Sequence, residues 1–589
     1  MEYQESNVKH LDESALRVPH LIRFVSSKWV VILVTVISVT AINSIYFLRL
    51  NRLVGQLSDD AFYIVLAKSI AEYGNYQLIS SPIQGIQPSY PPGFPLLLAS
   101  FLSLMPLDAE HLWILKIISI LAINFLAIGM YIYCRRVKEY PVLISWLGTI
   151  MVTLIPALVF LATSSVMSEC VFTCFQIWAV VRLETAIRNK TFNLSTIFTL
   201  LILTLATFYT RSLGVTLILA VMLQLFRFKL WRVMLILIFG IGLTTATWMT
   251  YAKYAYPNSV LRYNHGGNIV ENYFENLTQR NAGIRESGIA TSADYIFRIT
   301  GNVKSIFGRD MVGLFMPATL RAEGKSGEEV LGLGGGTEAG ASIPFAAGAT
   351  ILSLFLTIVI LIGFITQVRM NITSVEILVP LTIALVVIWP WLTFRFILPL
   401  APFLICYFID GSRQLMLWFS ERLKGSYDVY SLARIALFCF TFFFIFEHLR
   451  HILILRTNPV EISAVTAGNY MDEACIWMRD NLPAGSIIAS TDPAKLYLMT
   501  DHLSVTGSLS EQSWEYWRKA GIRYLSVLRP QRRGALEAKY KIIFATDTVP
   551  SFHVIDLGDP AKKESWQEFK QWCDESEKRR IERNNTSTP

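Results

Sequence analysis

Apolar residues in this chain fall into long blocks separated by brief polar punctuation. Amphipathic stripes with one buried face would instead alternate at a helical period. After a polar segment of mixed charge, 1–28, closing on Arg23 and Lys28, residues 29–48 make about twenty apolar or small positions, enough to cross roughly 30 Å of hydrocarbon. The block is long for a secretory leader and no small-x-small cleavage site follows it. It is therefore expected to stay as an anchor with its N-terminus in the cytoplasm. Further blocks lie at 112–134, 141–162, 166–187, 193–210, 212–226, 231–253, 345–366, 375–392, 396–410 and 431–453, giving about eleven spans. A shorter block, 93–105, has about thirteen residues and predicts a re-entrant or interfacial helix.

Beyond 456 the pattern changes. Short β-prone runs at 486–490, 524–528, 542–545 and 553–557 alternate with helix-like stretches such as 470–481 and 512–520, which predicts a small α/β domain ending in a charged tail. The expected organisation is a cytoplasmic segment 1–28, a transmembrane region 29–455 with long polar loops 50–111 and 254–344, and an extracytoplasmic domain 456–589. No repeat of solenoid period is present. The fold class expected is mainly α, a polytopic transmembrane helix bundle.

Composition agrees with this reading. Of 589 residues 16% are charged and 53% hydrophobic, with mean hydropathy +0.44, whereas an ordinary soluble chain is about 25% charged. Soluble domains, disorder and a coiled coil are excluded. The 52 Lys+Arg exceed the 44 Asp+Glu by 8, and no block of them suits nucleic acid. Starting inside, alternate span boundaries hold Arg135, Arg136 and Lys138, then Arg188 and Lys190, then Arg227, Lys229 and Arg232, then Arg369, then Arg413, Arg422 and Lys424. Basic residues favour the cytoplasm, so both long loops and the C-terminal domain are expected outside, in a bacterial plasma membrane. Cys134, Cys170, Cys174, Cys406 and Cys439 lie in or beside apolar runs; Cys475 and Cys573 are either a pair or free thiols.

Ionisable groups at the lip of such a bundle are costly and invite a functional reading. Asp59 and Asp60 follow the first span just before a helical stretch. Capping free N–H groups accounts well for one of them, while a carboxylate that accepts a proton from an attacking hydroxyl accounts for the other. Tyr90 opens a rigid turn, Tyr90-Pro91-Pro92-Gly93-Phe94-Pro95-Leu96. Glu169 sits in an otherwise apolar stretch, as a helix-start acid or an acid in a wet cavity. Arg211 and Arg395 stand at outward turns, where they anchor to headgroups or grip a phosphate bidentately. His265 lies in the long second loop, either as a surface histidine or as part of a substrate site. Gly324-Lys325-Ser326 resembles the end of a phosphate loop, but Thr319 replaces the first glycine required. Glu447, His448 and His451 share a helix face without the spacing of a known metal site, and Asn276-Leu277-Thr278 is an outward sequon.

Along the chain these features fall in a meaningful order. An Asp-Asp-x-x-Tyr in the first outer loop precedes Tyr-Pro-Pro-Gly-x-Pro-Leu. An acid at an outer helix end, an Arg-x-x-Gly turn and a late Arg-Phe-x-x-Pro-x-x-Pro follow. This arrangement resembles the GT-C superfamily of membrane glycosyltransferases, around the dolichyl-phosphate-mannose protein mannosyltransferases and the lipid A aminoarabinose transferases. The resemblance implies a polyprenyl-phosphate-linked sugar as donor and inversion at the anomeric carbon. It also implies a lipid, glycan or protein acceptor and neither metal nor cofactor. Asp59 matches the family's first-loop catalytic carboxylate, Asp60 its variable acidic neighbour and Glu169 its second acidic position. Arg395 matches its late arginine, with Arg211 placed near the donor phosphate; Tyr90 and His265 are further substrate-binding candidates. Relatives acting on lipid A carry a lysine near the proline turn, which this chain lacks. The competing class is a transporter or flippase of lipid or glycolipid. Transporters more often place charge at mid-membrane beside paired broken helices, and a non-catalytic scaffold leaves the first-loop acids unexplained.

Overall fold

The computed structural model describes residues 28–255 apart from 56, 84 and 87–89, then 273–283, 287–314, 316, 343–422, 463–507, 517–518, 520–529, 540–547 and 551–559, with isolated positions elsewhere. Residues 1–50 and 51–589 form separate compact units. The first holds helix α1 (Lys28–Arg49), the anchor block read from the sequence.

The second unit is mainly helical. Its helices are α2 (Asp59–Tyr73), α3 (Gly93–Leu104), α4 (Lys116–Ile132), α5 (Val142–Thr153), α6 (Pro156–Thr163), α7 (Glu169–Asn189) and α8 (Leu194–Thr210). They continue with α9 (Val215–Arg227), α10 (Trp231–Ala255), α11 (Ser292–Ser305), α12 (Ile343–Met370), α13 (Ser374–Ile388) and α14 (Ala401–Arg422). Among the described residues five helices are long and apolar enough to cross a membrane. They are built on 109–137, 169–189, 231–254, 350–370 and 394–419. Exposed rows such as Leu219, Leu223, Phe239, Phe355 and Ile358 suit a hydrocarbon solvent, which leaves helices to satisfy their own backbone. The chain is an integral membrane protein by this measure. Four blocks differ from the expected straight spans. The one read as 141–162 is α5 and α6, bent by 52°, because Pro156 has no N–H to continue the ladder and holds Ile155 extended at ψ 119. The blocks at 193–210, 212–226 and 375–392 fold as shorter apolar helices. The 93–105 block is the twelve-residue α3, too short to cross; most of 431–453 lies outside the described residues.

The basic boundaries picked out by the sequence meet at one end of the bundle. Arg188 pairs with Glu139 at 2.8 Å and Lys138 with Asp410 at 2.9 Å. Asp410 also accepts from Tyr140 and Gln367, and Arg227 donates to the Ile372 carbonyl at 2.7 Å.

The C-terminal part forms a five-stranded mixed sheet, ordered β2-β1-β3-β5-β4. Its strands are β1 (Ile488–Ser490), β2 (Ser504–Thr506), β3 (Tyr524–Arg529), β4 (Lys541–Ala545) and β5 (Ser551–Asp556). β1 runs parallel to β2 and β3, while β5 runs antiparallel to β3 and β4. Helix α15 (Ser463–Asn481) covers the sheet through Met471, Ala474, Cys475 and Met478 against Ile488, Phe552 and Val554. Buried Cys475 belongs to this apolar core; Cys573 lies outside the described residues. The parallel β1–β2 pair needs a crossover, supplied by α16 (Pro493–Thr500), which packs on α2.

Asp492, just ahead of α16, carries a stability signature. Burial pushes its carboxyl up to about 6; the charges of Asp60 and Asp59 push the same way, while Ser58 and Lys495 oppose. An acid whose folded pKa lies above its unfolded value of about 3.9 binds its proton more tightly when folded. Its contribution is therefore most favourable in acid and is lost as pH rises from about 4 through 6. Asp492→Asn should flatten that part of the profile, read as the thermal midpoint in detergent at pH 4.5 and 7.

Candidate active site

At the bundle end opposite the basic boundaries, four helix termini bring charged side chains together. Glu169 is the first residue of α7 and completely buried, where the positive end of the helix dipole favours a carboxylate. Its Oε1 forms an ion pair with Arg211 Nη1 at 2.5 Å and accepts from Arg395 Nε. Its Oε2 is buried and has no hydrogen-bond partner among the described residues. Arg395 reaches on through Nη2 to Asp59 Oδ2 at 2.8 Å. A continuous chain results, Arg211–Glu169–Arg395–Asp59, in which each carboxylate meets at least one guanidinium. Asp59 is its open end, with a side chain 34% exposed against 0% for Glu169.

Local structure explains each placement. α8 ends at Thr210, and Arg211 turns extended, φ −150 and ψ 138, before a tight turn in which Gly214 N donates to the Arg211 carbonyl at 2.9 Å. That break swings the guanidinium off the helix axis toward Glu169, over the Phe396 ring at 5.7 Å. Arg395 lies in the turn Phe394–Ile397 that opens the span built on 394–419. The segment before it is tied down from the long second loop: Asn302 Nδ2 donates to the Val387 and Trp389 carbonyls, each at 2.9 Å. Asp310, completely buried, accepts from Ser305 at 3.0 Å, from Arg309 Nε at 2.7 Å and from Thr393.

The two adjacent acids of the first loop part company, because successive residues at a helix start point about 100° apart. Asp59 faces Arg395. Asp60 is completely buried, and its carboxylate accepts from the backbone N–H groups of Gly55 at 2.9 Å, Leu57 at 3.1 Å and Ala61 at 3.1 Å. It thus holds the backbone at Gly55 and Leu57, while Asp59 takes Arg395.

Tyr90 O–H donates to Asp59 Oδ1 at 2.7 Å. Burial and the neighbouring Asp59 charge hold that phenol well above its usual range, so it stays a donor. Its ring stacks on Phe62 and meets Tyr63 edge-on. Tyr63 in turn bonds Ser168 at 3.2 Å, beside Arg211 Nη1 at 3.4 Å. The proline turn after Tyr90 brings Gly93 against the end of α8: a Cβ there would lie 2.7 Å from the Tyr209 backbone carbon and oxygen. Gly93→Ala should cost ~1–3 kcal/mol through overpacking and displace Arg211. The expected readouts are a lower thermal midpoint and weaker binding of polyprenyl phosphate.

Sequence reading quoted Tyr63 only within its first-loop motif and gave no role to Ser168, Asp310 or Thr393; these residues support the charged chain through hydroxyls and one loop carboxylate. His265 and the Glu447, His448, His451 group lie outside the described residues.

No protein-family model and no curated protein sequence matches the chain. Solved structures do. ArnT from Cupriavidus metallidurans bound to undecaprenyl phosphate superposes with TM-score 0.53 at 11% identity, over 90% of this chain and 99% of that one. The apo form of the same protein gives TM-score 0.44 at 13% identity, over 91% and 99%. The apo Archaeoglobus fulgidus oligosaccharyltransferase gives 0.45 at 11% identity, over 83% and 69%.

Proposed function

We propose that this chain, which has the GT-C fold, is a glycosyltransferase that moves a sugar from a polyprenyl-phosphate-linked donor to an acceptor hydroxyl at the extracytoplasmic face of the membrane. The observation that carries the reading is the chain of alternating charge ending on part-exposed Asp59. Tyr90 and Arg395 orient Asp59 by one bond to each oxygen, and an ionised carboxylate keeps further lone pairs free. Asp59 accepts the proton of the acceptor hydroxyl as that oxygen attacks the anomeric carbon from the side opposite the phosphate. The bond from anomeric carbon to phosphate oxygen breaks, polyprenyl phosphate leaves, and the sugar's configuration inverts. Negative charge grows on the leaving phosphate in this step. Arg395 and Arg211 retain N–H donors beyond those spent on Asp59, Glu169 and Ser168, and two guanidinium groups held in place stabilise such charge without reorganising. Glu169 fixes both arginines.

Cupriavidus ArnT binds undecaprenyl phosphate, and a donor of that class fits the phosphate-gripping pair here. The C-terminal sheet region acts as an extracytoplasmic domain over the site. Purified protein given a polyprenyl-phosphate sugar labelled in the sugar, together with cell-envelope acceptor, should release free polyprenyl phosphate in step with labelled acceptor. A flippase would return the donor intact, and that result would remove the enzyme reading.

A further inference from the structure

Helix α11 is built inside out for a helix in water. The face it turns to the protein carries hydrogen-bonding groups, and these are used on backbone carbonyls. Tyr295 O–H donates to the Leu277 carbonyl at 2.9 Å. Arg298 reaches the same carbonyl at 3.0 Å and that of Gln279 at 2.5 Å, while Asn302 holds the Val387 and Trp389 carbonyls. The opposite face carries Ile296, Phe297 and Val303, which share a side at helical spacing and stay 63%, 81% and 39% exposed. Thr300 lies among them, but its hydroxyl returns to the Ile296 carbonyl at 2.8 Å. Lys304 closes the row, and a lysine can lay its stem on apolar surface while its ammonium reaches a headgroup phosphate.

Two bonds set the depth of this helix. Directly after α11 the chain makes the turn Ile306–Asp310. Its Gly308 and Phe307 carbonyls accept from Ser353 at 2.7 Å and Thr357 at 2.8 Å, both on α12. Those two residues belong to the apolar span 350–370, and at 1.5 Å per residue they lie about 5 and 10 Å in from its active-site end. Their neighbours Ile351, Phe355 and Ile358 are exposed on the same span. Trp391 and Leu392, which follow the Trp389 carbonyl held by Asn302, are exposed as well.

We infer that α11 is an interfacial helix partnered by phospholipid, with Ile296, Phe297 and Val303 resting among acyl chains of the leaflet at the active-site end of the bundle. In water this row would keep three large side chains solvated beside a polar face turned inward. In a leaflet the same row continues the lipid-facing surface of α12. Part of the loop 254–344, read from the sequence as polar and extracytoplasmic, thus lies at membrane depth. The turn after α11 also delivers Asp310 to Thr393, two residues before Arg395, so α11 ties the Arg395 turn to the bilayer surface. Membrane contact by α11 does not depend on which reaction the charged site performs.

The test uses the full-length protein in nanodiscs of phosphatidylethanolamine and phosphatidylglycerol. A benzoylphenylalanine photo-cross-linker replaces Phe297 or Ile296 in turn, and mass spectrometry of the peptides reads the adducts. Ile476 of α15, exposed on a helix face between exposed Glu473 and Asp480, is the water-facing control. Phospholipid adducts are expected at 296 and 297 and not at 476. As a second readout, Phe297→Glu should lower the thermal midpoint in nanodiscs, because a carboxylate in that row must leave the leaflet. Phe297→Leu and Ile476→Glu should leave the midpoint near wild type. No more phospholipid adduct at 296 and 297 than at 476 would overturn the inference. So would adducts confined to added polyprenyl phosphate, or a Phe297→Glu protein as stable in nanodiscs as wild type. Phospholipid adducts at both positions, in a protein that transfers no sugar, would keep the interfacial helix and defeat only the reaction assignment.

Discussion

Asp59→Asn is expected to abolish sugar transfer, by 100-fold or more, in a protein that still inserts and folds. The size follows from the role: a positioned general base contributes ~10²–10⁴ to rate, and an amide cannot take the acceptor's proton. The small structural cost follows from placement. Asp59 is a third exposed and sits at the open end of the charged chain, where pairs contribute on the order of 0–1 kcal/mol. Asparagine keeps its volume and an oxygen for the Tyr90 hydroxyl. Donor binding should survive or tighten, since Arg395 loses a competing carboxylate and gains freedom to grip phosphate. The check is a transfer assay beside polyprenyl-phosphate binding and a thermal midpoint. Activity within tenfold of wild type, in a folded Asp59→Asn protein, would take the base out of the mechanism.

Much of this architecture is legible in the sequence, because hydrocarbon imposes a local rule. Each span must be apolar along its own length, so the blocks could be read one at a time. The residues the structure brings together in the charged chain were legible for the same reason: Glu169, Arg211 and Arg395 are costly beside apolar neighbours and stand out against them. What could not be read was set by partners distant in sequence. Nothing local marks Asp310, which ties down Thr393 some eighty residues later. Nor does anything local separate the roles of Asp59 and Asp60, since the separation arises from which way a helix start rotates two adjacent side chains. Strand β2 has three residues, too few for an alternation to show. The bend at Pro156 did carry a local signal, the proline itself, but its effect on a span depends on what satisfies the freed carbonyls. The C-terminal strands β1, β3, β4 and β5 were visible as β-prone runs, whereas the packing of Lys495 of α16 against Gly55 exists only in three dimensions.

The largest stability effect should come from Glu169. Its carboxylate pairs with both Arg211 and Arg395, and it is completely buried. Glu169→Leu leaves Arg211 without its counter-charge and Arg395 with Asp59 alone, and breaking a buried pair in this way costs ~3–5 kcal/mol. Glu169→Gln keeps the shape and one acceptor oxygen, so it should fall between Leu and wild type. The decisive comparison is the double variant Glu169→Leu with Arg211→Met. Removing both members of a buried pair is often close to neutral, and here Arg395 would still hold Asp59. The double variant should therefore unfold at a higher temperature than Glu169→Leu alone, a coupling of the size that shared partners produce, although neither protein transfers sugar. A double variant less stable than Glu169→Leu would mean that Arg211 stands on contacts of its own, and the charged chain would then not be one unit.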